Sequence, residues 1–189
     1  MFKKFAAIGL STIFITGCVS PAESETLKIS TMKVIESNQQ TPLLQHIADT
    51  HQINMQNIRL MANTTRVESA IKSLKSHVGK TWYVFSGNTP SGWDCSGMTM
   101  WFYGQLGFNL EHRASKQENA GVRVTDPKPG DLVVFKYKGY NSAYHVGVYI
   151  GNGKMIHAPR KGEVTRIESV KQFGGNYSKI SYFRFIETT

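Results

Sequence analysis

Cys95, in the tetrapeptide Asp94-Cys95-Ser96-Gly97, and two histidines, His145 in Tyr144-His145-Val146-Gly147 and His157 in His157-Ala158, are the residue types of a thiol nucleophile, a base and a group to orient it. A thiol reacts as its thiolate, and a place at the start of a helix or beside an imidazolium favours that form. The chain has only two cysteines, Cys18 and Cys95, and Cys18 lies in a segment with its own explanation. Cys95 is therefore left without an intramolecular disulfide partner; its other readings are a buried inert thiol and an intermolecular bridge. A metal site built on Cys95 and the histidines would be marked by a close-spaced ligand pair, Cys-x-x-Cys or His-x-x-x-His, and neither occurs.

Three elements must position these groups. Thr65 and Glu68 have the spacing of a capping box, and Val67, Ala70, Ile71, Leu74 and Val78 form a helical stripe that ends at Gly79. The apolar segment from Trp82 to Phe85 is followed by Ser86-Gly87-Asn88-Thr89-Pro90-Ser91-Gly92, turn-forming chemistry that delivers the chain to Trp93-Asp94-Cys95. Cys95, Met98, Phe102 and Leu106 then share one helical face, with Asp94 as N-cap and Gly107 as stop. The thiol falls in the first turn, where unpaired N–H groups and the positive end of the helix dipole favour a thiolate.

Pro129-Gly130-Asp131 turns the chain into Leu132-Val133-Val134-Phe135, apolar enough for a buried strand. His145 to Ile150 and Lys154 to Ala158 read as strands joined by Gly151-Asn152-Gly153, a hairpin signal. A three-residue loop with a glycine bulge pairs Ile150 with Lys154 and puts His157 opposite Gly147, with His145 on the diagonal. Both imidazoles then share a face, and the missing side chain at Gly147 lets one ring lean toward the other. A two-residue loop would split them across faces. Val164 to Ile167 and Ser181 to Ile186 read as further strands. Helices first and antiparallel strands afterwards make an α+β fold. His77 and His112 have no comparable placement.

The N-terminus addresses the chain. Lys3 and Lys4 precede an apolar run from Phe5 to Ile15, too short to span a bilayer and suited to a secretory signal. Ile15-Thr16-Gly17-Cys18 resembles the lipobox of bacterial lipoproteins, which implies cleavage after residue 17 and acylation of Cys18, palmitate being one such acyl group. An ordinary signal peptide cut nearby is the alternative. Losing the signal lowers the formal net charge of +9 by two, so the exported chain stays basic, which favours phospholipid head groups or wall polymers and, with export, disfavours nucleic acid. Residues 18–41, rich in Ser, Thr, Glu and Gln, read as a tether. In residues 42–63, Leu43, Leu44, Ile47, Ile53, Ile58 and Met61 recur at helical spacing, as two short helices broken near His51-Gln52: a helical spacer, or half of a lysin motif whose strands are not evident. Residues 64–189 suffice for one compact domain.

The blocks Tyr83-Val84-Phe85-Ser86-Gly87, Gly92-Trp93-Asp94-Cys95-Ser96-Gly97, Pro129-Gly130-Asp131-Leu132, His145-Val146-Gly147-Val148-Tyr149-Ile150-Gly151 and His157-Ala158 resemble, in that order, the NlpC-type cell-wall cysteine peptidases. The resemblance implies a minimal papain-like fold, with the cysteine helix packed on a central antiparallel sheet, and peptidoglycan stem peptides as substrate, the γ-amide between D-glutamate and the diamino acid above all. It also implies roles: Cys95 as nucleophile, His145 as base and then acid, His157 as orienter, Tyr83 as oxyanion donor, and Asp94 and Ser96 lining the substrate pocket. Packing alone for Tyr83, and capping alone for Asp94, are the plainer readings. Two departures bear on pocket shape: Ser86-Gly87 stands where the family has two glycines, and Leu110-Glu111-His112-Arg113 lacks a proline common there.

The expected chemistry is an acyl-enzyme route needing no cofactor, carried by a monomer tethered through Cys18, on the outer membrane facing the periplasm if the envelope has two membranes. Its rivals are a peptidoglycan-binding lipoprotein without activity and a lipid acyltransferase on the same scaffold.

Overall fold

The computed structural model describes residues 42–189. The signal segment, Cys18 and the tether lie outside the described residues. Within the described residues the chain divides between Gln52 and Ile53 into two units, the second running to Thr189. Helix α1 runs from Pro42 to Lys75. The break expected at His51-Gln52 is not there, because nothing in Thr50-His51-Gln52-Ile53 interrupts a helix: no glycine, no proline and no buried partner. The capping box expected at Thr65 is absent for the same reason. Thr65 is a mid-helix residue whose hydroxyl donates to the Met61 carbonyl at 3.1 Å. The apolar stripe from Leu43 to Met61 is exposed, whereas Val67, Ala70, Ile71 and Leu74 are buried. No helix among the described residues is long and apolar enough to cross a membrane.

After α1 come the short strands β1 (Asn88–Thr89) and β2 (Gly92–Trp93), paired antiparallel, and then α2 (Cys95–Gln105). A short helix α3 (Ala114–Gln117) and a 3₁₀ turn lead to β3 (Val122–Val124), β4 (Leu132–Tyr137), β5 (Ala143–Gly151), β6 (Lys154–His157) and β7 (Arg166–Ser169). Helix α4 (Val170–Gly174) and β8 (Ser178–Arg184) close the chain. Six strands form one antiparallel sheet in the order β3-β8-β4-β5-β6-β7.

Period-two alternation gives that sheet two apolar faces. Leu132, Val134, Val146, Val148 and Ile156 join Leu74 of α1 and Met98 and Phe102 of α2 in one core, while Val133, Phe135, Tyr149 and Met155 join Val170 and Phe173 of α4 in a second. This is the mixed α+β arrangement expected of a papain-like fold, with the cysteine helix laid on a central antiparallel sheet.

Candidate active site

Asp94 is the N-cap of α2: its Oδ1 accepts from the Gly97 N–H at 2.8 Å and from the Ser96 hydroxyl at 2.9 Å, and its Oδ2 accepts from the Ser86 N–H at 3.0 Å. One carboxylate thus ties the start of the cysteine helix to the loop before β1. The helix is pressed on that loop closely. A Cβ on Gly97 would stand 1.9 Å from the Gly87 carbonyl oxygen, so only glycine fits. Against burial, which raises it, the hydrogen bonds from Gly97, Ser96 and His112 hold the Asp94 carboxyl below its ordinary value.

Cys95 is half-buried. Burial pushes its pKa up to about 11; the hydrogen bond from the Val146 N–H pulls the other way, Asp94 adds to the rise, and the N–H groups of Ser96 and Cys95 oppose it. The helix start was expected to make the sulfur a thiolate. It supplies the N–H groups, but desolvation and the neighbouring carboxylate outweigh them, and the resting group is a neutral thiol. The Val146 contact places the sulfur against the residue next to His145. Among the described residues no hydrogen bond joins the thiol to an imidazole at rest.

The two imidazoles meet as the hairpin register requires. Val148 pairs with Ile156 and Tyr149 with Met155, so His157 continues opposite Gly147 and shares a face with His145. The route to that register differs from the expected one. Asn152 and Gly153, with φ of 52° and 69°, make a two-residue turn, and Lys154 pairs with Gly151 rather than Ile150. A bulge between Tyr149 and Gly151 absorbs the extra residue and restores the parity that the short loop would have lost. His145 Nε2 lies 2.9 Å from His157 Nδ1, with the ring planes at 89°. Both rings are buried and pack on Phe173, at centroid distances of 4.6 and 4.7 Å. Burial drives His145 well below its usual pKa, with the charge on His157 adding to it.

His157 Nε2 in turn lies 3.1 Å from Glu168 Oε2. Glu168 also accepts from Arg166 Nε at 2.9 Å, and Arg166 pairs with Glu163. Burial lowers the His157 pKa to about 4, with Glu168 acting in the opposite sense through charge and hydrogen bond, Arg166 lowering it and Glu163 raising it. Tyr83 stands near the thiol: burial raises its pKa, and its electrostatic coupling to Cys95 and to the Asp94 carboxylate raises it further, so its hydroxyl keeps its proton and can donate.

Of the residues singled out in the sequence, Asp94, Cys95, Ser96 and Tyr83 gather at the start of α2 and His145 and His157 at the adjoining end of β5 and β6. Cys18 lies outside the described residues. His77 packs edge-on between Trp93 and Trp101, each 5.2 Å away, a structural place. His112 stands outside the imidazole row but touches the cysteine loop, its Nε2 3.0 Å from Asp94 Oδ1. Gln117 was not foreseen. Buried beneath α2, it donates to the Ser96 carbonyl at 2.8 Å and accepts from Thr99 at 2.6 Å, holding the first turn from below. Its signal was faint, a lone glutamine four residues beyond Arg113. Among the described residues no group of three His, Cys, Asp or Glu side chains is placed to hold a metal ion.

Residues 79–186 match the NlpC/P60 family. The chain is 34% identical over 132 residues to the murein DD-endopeptidase MepH of Escherichia coli, a match covering 67% of this chain and 45% of MepH. It is 39% identical over 94 residues to the probable endopeptidase p60 of Listeria monocytogenes, covering 49% of this chain and 19% of p60. The matches thus span less than half the length of these curated relatives. Among solved structures, the NlpC/p60 domain of the peptidoglycan hydrolase SagA is similar with a TM-score of 0.54 and 33% identity, covering 63% of this chain and 98% of that domain.

Proposed function

The chain belongs to the NlpC/P60 family, and from that premise we propose that it is a peptidoglycan endopeptidase that cleaves stem-peptide amide bonds through Cys95, His145 and His157. The observation that carries the reading is the 2.9 Å bond between His145 Nε2 and His157 Nδ1, on strands whose neighbouring Val146 N–H reaches the thiol.

The proposed roles order the steps. His145 Nε2 is occupied by His157, so Nδ1 is the nitrogen free to take the thiol proton. The thiol is neutral at rest, so the proton moves to His145 as the sulfur attacks the carbonyl carbon. The developing oxyanion takes hydrogen bonds from the Tyr83 hydroxyl and the Cys95 N–H, and such donors contribute roughly 3 kcal/mol each in comparable sites. His145 then protonates the leaving amine, the C–N bond breaks, and a thioester remains on Cys95. Water, deprotonated by His145, hydrolyses it and restores the thiol. The family resemblance supports Asp94 and Ser96 as substrate-pocket residues, with His112 beside Asp94.

The bond expected first is the γ-amide from D-glutamate to the diamino acid. The resemblance to MepH, named a DD-endopeptidase, supports a cross-bridge amide as the second candidate. Purified wall fragments incubated with the chain and with Cys95→Ala, and weighed by mass spectrometry, assign the bond. Fragments released by the unchanged chain alone support the reading; equal release by both removes the thiol mechanism.

The same proposal includes export and anchoring through acylated Cys18, facing the periplasm if the host has an outer membrane. Labelled palmitate carried by the chain and lost on Cys18→Ser is the expected result; equal labelling of both would contradict it.

A further inference from the structure

The hydrogen-bonded row does not end at His157. Met155 of β6 pairs with Glu168 of β7, and His157 with Arg166, so on one face of the sheet His145, His157 and Glu168 lie diagonally across three neighbouring strands. His157 is fully buried, and its two nitrogens have one partner each: His145 Nε2 at 2.9 Å and Glu168 Oε2 at 3.1 Å. A carboxylate oxygen only accepts, so the nitrogen facing it carries the hydrogen. That leaves His157 Nδ1 as an acceptor, which requires the hydrogen of His145 on Nε2, which leaves the His145 Nδ1 lone pair for the thiol proton. The direction of the whole row is fixed from its far end.

Resting on the peptidase reading, we propose that Glu168 is a positioning residue that sets the tautomers of both imidazoles, so that His145 presents a base at Nδ1, and that places a counter-charge behind the imidazolium formed during thioester formation. No proton passes beyond His145. The thiol proton adds at Nδ1, and each hydrogen bond behind it keeps its donor. Every charged group facing His157 has a defined place: Glu168 directly, Arg166 between Glu168 and Glu163, and Glu163 beyond it. Arg166 donates to the same Oε2 that faces the ring and so holds that oxygen in place beside His157. Phe173 packs on both imidazoles and Phe135 on His145, which fixes the rings from the side away from Glu168.

The test is made on the full chain with ¹⁵N-labelled histidine at neutral pH, beside kcat and KM on soluble stem peptides. The unchanged chain should show His145 and His157 both protonated at Nε2. Glu168→Ala should give mixed Nδ1 and Nε2 protonation in both rings, with kcat lower by about 10²-fold and KM little changed. Glu168→Gln keeps an acceptor oxygen but no charge. It should keep the tautomers, lower kcat by about tenfold and move the acid limb of kcat/KM to lower pH, since the imidazolium loses its counter-charge. A folded Glu168→Ala chain with unchanged tautomers and unchanged kcat overturns the proposal and leaves the peptidase reading standing. If Glu168→Ala does not fold, an unchanged kcat and acid limb in Glu168→Gln overturns it. Scrambled tautomers in Glu168→Ala, with a parent chain that cleaves no wall fragment, support the row and strike the peptidase reading instead.

Discussion

Gly147 faces His157 across the β5–β6 pair so closely that a Cβ on Gly147 would stand 3.3 Å from the His157 Cβ and 3.1 Å from the Ile156 carbonyl oxygen. The nearest atom such a Cβ would meet is Met155 Sδ at 2.9 Å, so a side chain here crowds Met155 and His157 together. Gly147→Ala should therefore leave the fold in place, at a cost of about 1 kcal/mol, and push His157 away from His145. The expected readout is a kcat lower by about tenfold on stem peptides with KM little changed. An unchanged kcat would show that the His145–His157 bond is not needed.

A second close approach concerns the cysteine helix. Gly97→Ala has no room, since its Cβ would overlap the Gly87 carbonyl, a backbone atom that cannot swing aside. The helix start must shift, with the Asp94 cap and the Cys95 sulfur moving with it. Urea unfolding should show a loss of about 1–3 kcal/mol together with a fall in kcat. Gly104→Ala, at a helical site open to space, is the matched control: it should leave kcat unchanged and raise stability, by up to about 1 kcal/mol.

How much of this was legible in the sequence follows the range of each signal. Asp94 capping α2 and the strand Leu132–Phe135 are local, and both stand where spacing and composition put them. The shared face of His145 and His157 was also readable, because parity along a hairpin is a counting rule. The loop was not: Gly151-Asn152-Gly153 fits a three-residue bulged loop as well as a two-residue turn preceded by a bulge, and only pairing across the ladder decides between them. The long helix α1 was cut in two because exposed polar residues at His51-Gln52 look like a boundary when no glycine or proline marks the true one. His112, Gln117 and Glu168 stayed invisible because their partners are far along the chain. The expected strand over residues 164–167 stopped one residue short of Glu168, and nothing local shows an alternating Arg166-Ile167-Glu168 that its carboxylate meets a buried histidine. The pKa of Cys95 was misread because helix position is local, whereas desolvation is a property of the packed whole.

Acid should unfold the protein in two steps of known sign. His145 and His157 are both held below the ordinary histidine value by burial, His157 at about 4 against 6.5. Between those values the unfolded chain takes up protons that the folded chain refuses, so stability present above about 6.5 drains away as pH falls toward 4. Asp94, whose folded pKa is depressed, adds a further loss below its ordinary value of 3.8. Thermal melting from pH 8 to 3 should show Tm falling first over the histidine window, and His157→Gln should flatten that first part. A Tm constant from pH 7 to 4 in the unchanged chain would mean that the rings are charged in the folded state.

The central claim is a covalent intermediate on Cys95. Acid quenching of the full chain during turnover of a defined stem peptide, followed by intact-protein mass spectrometry, should show an added mass equal to the acyl half of the substrate less water. Digestion should place it on the peptide carrying Asp94-Cys95-Ser96, and Cys95→Ala should lose both the adduct and the turnover. Turnover of the same peptide by Cys95→Ala would contradict the thiol mechanism outright.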